Sequence, residues 1–227
     1  MNDRRLRLNR RPKLESLEGR RLQAGNVTAS IVNGDLRITG DNLANEVSVF
    51  RQNGFIRVHG FNNTRINGSA VDAIFSQGSL SHDLRADMKG GSDTLLVDLS
   101  GLHVPHDIFV DTGDGNDFVR LTNLSAGNDI TIDTQRGDDR VFLVNVTAGD
   151  DLKIDTGQDR DSVFLLRVQA HDRMDIDLGS GDADRLDLAF VTAHNAHLNG
   201  GFGSTDTLRR RNASFDHVDI DGFEVFI

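Results

Sequence analysis

A pattern that returns every 22 residues constrains the fold of this chain more than any other feature of the sequence. Five stretches begin 22 residues apart, and a sixth keeps the same register to the C-terminus. They cover residues 107–111, 129–133, 151–155, 173–177, 195–199 and 217–221. A fixed period indicates one structural unit stacked on copies of itself, which defines an architecture before any local structure is considered.

Within each repeat, apolar residues alternate with polar ones, as in Ile130 and Ile132 around Thr131. Alternation with period two, with Gly, Asp and Asn between the runs, predicts short strands and tight turns. Three strands and their turns in 22 residues predict an all-β, single-stranded parallel β-helix with one repeat per coil. We expect eight or nine coils and favour a right-handed helix.

Other architectures with a similar period fit the sequence less well. Twenty-two residues also make about six α-helical turns, but recurrent Gly and Asp and an apolar spacing of two argue against a lipid-binding helix. A leucine-rich repeat needs the pattern L-x-x-L-x-L-x-x-N, which is missing. A propeller with two repeats in each 44-residue blade stays open as an alternative.

Charge divides the chain into a leader and a solenoid. Residues 1–25 contain eight basic and three acidic residues, whereas residues 83–227 contain 13 basic and 28 acidic residues. We predict a disordered basic leader at 1–25 and a β-helix at 26–227, with degenerate coils at 26–82 and regular repeats at 83–227. The step from Asp87 to Asp111 is 24 residues, and we expect the two extra residues at 103–106.

Part of the leader resembles a known sorting segment. Residues 14–22, Leu-Glu-Ser-Leu-Glu-Gly-Arg-Arg-Leu, resemble the LEPR-XLL motif that opens many exported planctomycete proteins, although Gln23 replaces the second leucine of the usual pair. The resemblance implies an extracellular or cell-surface location, with this segment acting as a sorting element.

Aspartate dominates the acidic residues of the repeats, and this bias suggests calcium. Residues 83–227 contain 27 Asp and one Glu. Stacking with a period of 22 predicts one column through Asp111, Asp133, Asp155 and Asp177. It predicts a second through Asp117, Asp139 and Asp161. Carboxylates about 4.8 Å apart repel, so each column requires bridging cations, interleaved arginines or hydrogen bonds to the backbone.

One turn resembles the hemolysin-type (RTX) calcium repeat. Residues 113–119, Gly-Asp-Gly-Asn-Asp-Phe-Val, match its G-x-G-x-D-x-U core, which implies Ca²⁺ held between stacked coils. That family repeats every nine residues rather than 22, and Arg136 replaces a turn residue one coil later. With the columns, the candidate metal residues are Asp111, Asp114, Asp117, Asp133, Asp139, Asp155 and Asp161, with Ca²⁺ as the cofactor.

Several classes of function are disfavoured by the sequence. No apolar run approaches the ~18 residues of a membrane-spanning helix, and the acidic body would repel nucleic acid. Eight histidines form no tight ligand set. A zinc site at His103 and His106 or at His194 and His197 is a minor alternative, and exposed loop histidines are the simpler interpretation. We therefore expect a non-catalytic, exported structural or adhesion protein with divalent cations, and other surface or matrix proteins, as partners. The alternative is a β-helix polysaccharide lyase or glycoside hydrolase that uses Asp139, Asp161 and Arg140.

Overall fold

The structure, a computed structural model, describes residues 25–227, so the leader motif at 14–22 lies outside the described residues. The first strands are β1 (Asn26–Val32), β2 (Asp35–Thr39), β3 (Glu46–Gln52), β4 (Phe55–Gly60), β5 (Arg65–Ile66) and β6 (Ala73–Ser76), and a 3-10 turn follows at Gln77–Ser79. The coil strands are β7 (Leu84–Asp87), β8 (Thr94–Val104), β9 (Ile108–Asp111), β10 (Phe118–Ala126), β11 (Ile130–Asp133), β12 (Arg140–Ala148), β13 (Leu152–Asp155), β14 (Ser162–Ala170), β15 (Arg173–Asp177), β16 (Arg185–Asn199), β17 (Thr207–Arg211), β18 (Ser214–Asp221) and β19 (Val225–Phe226).

These strands stack as a parallel β-solenoid, which confirms the predicted fold class and repeat. β11 pairs in parallel with β9 on one side and with β13 on the other, so Ile130 lies between Ile108 and Leu152. The longer strands pair in the same way, with Val141 of β12 between Val119 and Val163. Equivalent positions of successive coils thus pair directly, at a step of 22 residues for these strands; the step is 24 residues from Leu95 to Val119 and 23 from Val163 to Leu186.

Each regular coil has three sides but only two strands, because the longer strand bends and forms two of the sides. The longer strand turns a corner at one residue with positive φ, such as Asn123 (φ 51°), Asn145 (54°) or Arg167 (54°). Asn tolerates the left-handed region better than most residues, which suits it to this corner. The corner separates two of the three predicted strands, and the shorter strand supplies the third.

A continuous apolar core fills the solenoid. Ile130, Ile132, Val141 and Leu143 are fully buried, and equivalent residues of the neighbouring coils continue these columns. Burying such a side chain stabilises the fold by about 1.5–3 kcal/mol. A single coil has no second layer to cover its inward side chains, so the core exists only where coils stack.

The solenoid has about six turns, fewer than the eight or nine predicted, because residues 26–82 fold mainly as hairpins. β1 pairs antiparallel with β2, and β3 pairs antiparallel with β4. The connecting turns are Asn33-Gly34 and Asn53-Gly54, all four residues with positive φ, which is typical of tight two-residue hairpin turns. Only β2 and β3 stack on the first regular coil, through β7 and β8.

The two extra residues of the first coil lie at a different place from the one predicted. Thr122 pairs with Asp98 and Leu124 pairs with Leu102, so three residues, 99–101, stand opposite Asn123 alone. The insertion is therefore a bulge at the corner of β8 rather than a loop at 103–106. Among residues 25–227, no helix is long and apolar enough to cross a membrane.

Candidate functional site

The outward Asp column, which we define as Asp87, Asp111, Asp133, Asp155 and Asp177, runs along one side of the solenoid. Each of these residues ends a short strand and pairs in register with the next. The residue before each one points into the core, because side chains alternate along a strand. The column therefore lies where the sequence predicts it, and it lines part of a shallow groove of about 560 Å³.

The two ends of the outward Asp column have closer polar partners than its middle. Lys89 forms an ion pair with Asp87, and Gln135 Nε2 donates a hydrogen bond of 2.6 Å to Asp111 Oδ1. At the other end, Asp177 Oδ1 accepts hydrogen bonds from Gly179 N (2.9 Å) and Asn199 Nδ2 (3.1 Å).

The middle of the column carries repulsion that its neighbours compensate only in part. None of the ion pairs among the described residues includes Asp133 or Asp155. Burial raises the pKa of Asp133, and the charges of Asp155 and Asp111 raise it further. Burial also raises the pKa of Asp155, followed by the charge of Asp177. A backbone hydrogen bond from Gln135 opposes the shift at Asp133, and the charge of Lys153 opposes both shifts, but the pKa of each carboxyl stays raised.

A second column lies inside the solenoid. We define the buried Asp column as Asp93, Asp117, Asp139, Asp161, Asp184 and Asp206, none of which is more than 2% exposed. Asp139 precedes the buried residues Val141 and Leu143 at a spacing of two, so strand alternation turns all three inward. The sequence predicts this stacking, but we did not expect the column to be buried.

A continuous series of hydrogen bonds joins the buried Asp column. Each Oδ1 accepts the backbone N–H of the equivalent residue one coil earlier, as in Asp117 N to Asp139 Oδ1 at 2.7 Å. The series begins at Asn45 N, which donates to Asp93 Oδ1, and ends at Glu224 Oε2, which accepts from Asp206 N. The other links are Asp93 N to Asp117 Oδ1 (2.7 Å), Asp139 N to Asp161 Oδ1 (2.9 Å), Asp161 N to Asp184 Oδ1 (2.7 Å) and Asp184 N to Asp206 Oδ1 (2.8 Å).

The second carboxylate oxygen of each residue in the buried Asp column has no hydrogen-bond partner. Desolvation disfavours the charged form, so it raises the pKa of each carboxyl. The resulting pKa values are about 7 for Asp93, 6 for Asp117, 7 for Asp139, 8 for Asp161 and 6 for Asp184, and the pKa of Asp206 is also raised. The carboxyls of this column therefore stay neutral up to a pH well above the usual pKa of Asp.

Buried threonines lie beside the middle of this column. The Thr134 hydroxyl lowers the pKa of Asp139, an effect smaller than that of burial. Thr112 does the same for Asp117, although its hydroxyl forms no well-aligned hydrogen bond. A neutral carboxyl could donate its proton to these hydroxyl oxygens, because a hydroxyl accepts as well as donates.

A third set of aspartates explains more of the bias towards Asp. The backbone N–H groups of Asp107, Asp129, Asp151 and Arg173 donate to the Oδ1 atoms of Asp83, Asp107, Asp129 and Asp151, respectively, at 2.9–3.2 Å. These bonds run in the opposite direction to those of the buried Asp column. In both ladders a short side chain reaches the backbone of an adjacent coil, and this geometry favours Asp over the longer Glu.

The turn that resembles the calcium repeat is held by close backbone packing. A Cβ on Gly115 would lie 1.5 Å from the carbonyl oxygen of Gly91, so only glycine fits there. The carbonyl of Asp114 accepts a hydrogen bond from Gly91 N (3.0 Å), and that of Arg136 accepts one from Gly115 N (2.7 Å). The glycines are thus required by coil stacking, and Asp114 itself is exposed.

The seven candidate metal residues fall into three environments. Asp111, Asp133 and Asp155 share the outward Asp column, whereas Asp117, Asp139 and Asp161 share the buried one. Asp114 stands apart on the turn, bridged in parallel to Arg136 of the next coil. Of the three compensations considered for stacked carboxylates, backbone hydrogen bonds are the one that the buried column uses.

The residues proposed for a glycosidase-type reaction do not share a surface. Asp139 and Asp161 are each 1% exposed inside the solenoid, whereas Arg140 points to solvent. A polymeric sugar outside the solenoid would not reach the two carboxyls in this arrangement.

A cluster near the C-terminus was missed by sequence reasoning. Ligand atoms of His197, Asp219 and Asp221 all lie within 4.8 Å of one another. His197 lies on β16 rather than in a loop, and its register neighbours are Asp175 and Asp219. A hydrogen bond to Asp175 raises the pKa of His197, with smaller contributions from the charges of Asp175, Asp219 and Asp221. The shared 22-residue register of these positions was the available signal.

Comparisons with models of known protein families, with curated proteins and with solved structures found no match. The fold therefore defines the class, a parallel β-solenoid, and the resemblances to the calcium repeat and to the sorting segment remain expectations from sequence.

Proposed function

We propose that this protein is a non-catalytic, exported structural or surface β-solenoid whose acidic side binds Ca²⁺. The observation that carries the proposal is the only partly compensated repulsion at Asp133 and Asp155, in the middle of an otherwise regular outward Asp column. A column that repeats over five coils without matching cations on its middle residues is costly to the fold, and a bound cation would remove that cost.

The size of the repulsion supports a bridging ion. Two carboxylates about 4.8 Å apart repel by about 3.5 kcal/mol at an effective dielectric of 20, and by about 0.9 kcal/mol in water. Calcium accepts six to eight oxygen ligands in flexible geometry, including several waters. Asp111, Asp133, Asp155 and Asp177 would supply carboxylate oxygens, and water from the open groove would complete the coordination.

Thermal unfolding with millimolar Ca²⁺ and then with EDTA tests the proposal. We expect Ca²⁺ to raise the melting temperature, because an ion that binds only the native state stabilises it. The variant Asp133→Asn/Asp155→Asn should lose most of this response. The matched control is Asp150→Asn, which removes one exposed carboxylate from the turn between β12 and β13.

Two results would overturn the calcium proposal. One is an unchanged melting temperature of the wild type in Ca²⁺ and EDTA. The other is an equal calcium response in the double variant and in the wild type. Separately, release of unsaturated or reducing ends from acidic polysaccharides would replace a structural role with a catalytic one.

Export is the second part of the proposal, supported by the leader's resemblance to a planctomycete sorting segment. Expression in a planctomycete host, with and without residues 1–25, should place the full chain in the surface or secreted fraction. The truncated chain should stay in the cell. Equal distribution of the two chains would contradict the sorting role of the leader.

A further inference from the structure

We propose that His197, Asp219 and Asp221 form a binding site for a borderline transition-metal ion such as Zn²⁺, separate from the outward Asp column. The three residues come from two adjacent strands, β16 and β18, at the C-terminal end of the solenoid. This site goes beyond the proposed calcium-binding function, since it uses a nitrogen ligand and involves none of the seven candidate calcium residues.

The strand register brings the three ligands together. His197 stands directly opposite Asp219, and Asn199 stands opposite Asp221, so Asp221 is the diagonal neighbour of His197. Diagonal neighbours on one face of a sheet remain within reach of long side chains. The parallel pairing of β16 with β18 therefore holds the three side chains of the cluster close together.

The imidazole of His197 is oriented by a fourth residue. Asp175 Oδ1 lies 3.0 Å from His197 Nδ1, on the coil before. A carboxylate at one ring nitrogen fixes the tautomer and leaves the other nitrogen free to bind a metal, as is usual for a metal-bound histidine. That free nitrogen, Nε2, lies on the side of Asp221.

The ligand separation suits a small ion. His197 Nε2 and Asp221 Oδ2 are 3.8 Å apart, too far for a hydrogen bond. Ligands about 2.0–2.2 Å from a tetrahedral Zn²⁺ lie roughly 3.4 Å from each other. The ligand atoms of all three residues lie within 4.8 Å of one another, so movements of about 1 Å in the exposed side chains of Asp219 and Asp221 would complete the geometry, with water as a fourth ligand.

The mixed donor set selects the class of metal. Imidazole with carboxylates suits Zn²⁺ and similar ions, whereas Ca²⁺ and Mg²⁺ prefer oxygen ligands alone. The residues that occupy the position of His197 in earlier coils are Arg85, Phe109, Thr131, Lys153 and Asp175. The run Asp175, His197, Asp219 is thus confined to the last three described rungs of this ladder.

Calorimetric titration of Zn²⁺ into the full chain tests the site. Millimolar Ca²⁺ is present throughout, so that sites built from oxygen alone are occupied. We expect one Zn²⁺ per chain with micromolar or tighter affinity. His197→Ala should weaken binding by about 100-fold, and Asp175→Asn by about 10- to 100-fold, the usual range for a residue that orients a ligand.

A matched control separates this site from other histidines. His106→Ala removes a ring that packs against His82, with ring centroids 4.9 Å apart and no third ligand in a cluster. Binding in this variant should equal that of the wild type. Circular dichroism establishes that each variant is folded, and His197→Gln provides a polar replacement if the Ala variant is not.

Three results would overturn the proposal. Wild-type affinity in the His197 variants would exclude the nitrogen ligand, and an equal loss in His106→Ala would place the ion elsewhere. Absence of Zn²⁺ binding by the wild type at millimolar concentration would also exclude it. None of these results bears on the calcium response of the outward Asp column, so the two proposals fail independently.

Discussion

The two Asp columns of this solenoid contain the same residue type, stacked in the same way, but their environments have opposite effects on stability. Asp133 and Asp139 lie six residues apart in one coil, and each stacks with an Asp in the coils before and after it. Asp133 is half-buried beside a groove and has like charges as neighbours. Asp139 is buried, with one oxygen bonded to the backbone of another coil. The surroundings of the carboxyls, rather than the residue type, therefore decide the outcome. The buried column links successive coils by hydrogen bonds, whereas the carboxylates of the outward column repel one another.

Removing one side chain from each column should separate these roles most clearly. We expect Asp139→Ala to lower the free energy of unfolding by about 2–4 kcal/mol, because it leaves the N–H of Asp117 buried and unpaired. Asp133→Ala should cost less than about 1 kcal/mol. Denaturant unfolding at pH 7 measures both, and equal losses would contradict the comparison.

An Asn replacement should retain the hydrogen bond of the buried column. Asp139→Asn keeps an acceptor oxygen for Asp117 N and cannot ionise, so its loss of stability should be at least 1 kcal/mol smaller than that of Asp139→Ala. A loss of stability as large as that of the Ala variant would mean that the hydrogen bond accepted by Asp139 Oδ1 does not stabilise the fold.

The buried column should also make the protein more stable in mild acid than in mild base. Its pKa values of about 6–8 lie above the unfolded value of about 3.9, so the native state binds more protons between these limits. Stability from this source is fully present below pH ~4, falls as pH rises, and levels off above pH ~8.

Thermal melts at pH 5 and pH 8 in EDTA measure this dependence. Each proton retained contributes about 1.4 kcal/mol per pH unit, and several carboxyls titrate in this range, so we expect a melting temperature at least about 10 °C higher at pH 5. Asp139→Asn/Asp161→Asn should reduce this difference, whereas the exposed control Asp150→Asn should not. A melting temperature that rises from pH 5 to pH 8 would show that the buried carboxyls are ionised in the native state.

The smallest expected effect belongs to the outward column without calcium. Asp133→Asn removes a repelling charge, so we expect it to stabilise the protein by about 0.2–1 kcal/mol in EDTA at pH 8 and low salt. The gain should shrink in 1 M salt, where the Debye length is about 3 Å. Destabilisation by this substitution in EDTA would show that Asp133 makes a favourable contact without any ion.

Much of this architecture could be read from the period of 22 and the alternation within it. The outward position of Asp133 follows from its place one residue after Ile132, which points inward. The inward position of Asp139 was equally readable, since it shares the parity of Val141 and Leu143. That parity alone does not settle the position, because a charged residue is rarely buried without a partner. The partner is a backbone N–H of another coil, which only the stacked structure supplies.

Residues 26–82 show a different limit of sequence reasoning. Their apolar alternation fits a coil and a hairpin equally well, because both are made of strands. Asn33-Gly34 and Asn53-Gly54 were the deciding signal, since Asn-Gly between alternating segments favours a two-residue hairpin turn. The cluster of His197 with Asp219 and Asp221 had no local signal, because its members become neighbours only through the coil register.

The two Asn-Gly hairpins also give the molecule a direction of assembly. Hairpins form locally within microseconds, whereas a coil must close a 22-residue loop and gains its core only from a neighbour already in place. We expect β1–β2 and β3–β4 to form first and to serve as the template for the coil of β7 and β8, with later coils added in chain order. In this order the hairpins would fold while the rest of the chain is still being synthesised, and each new coil would pair with a coil that has already folded.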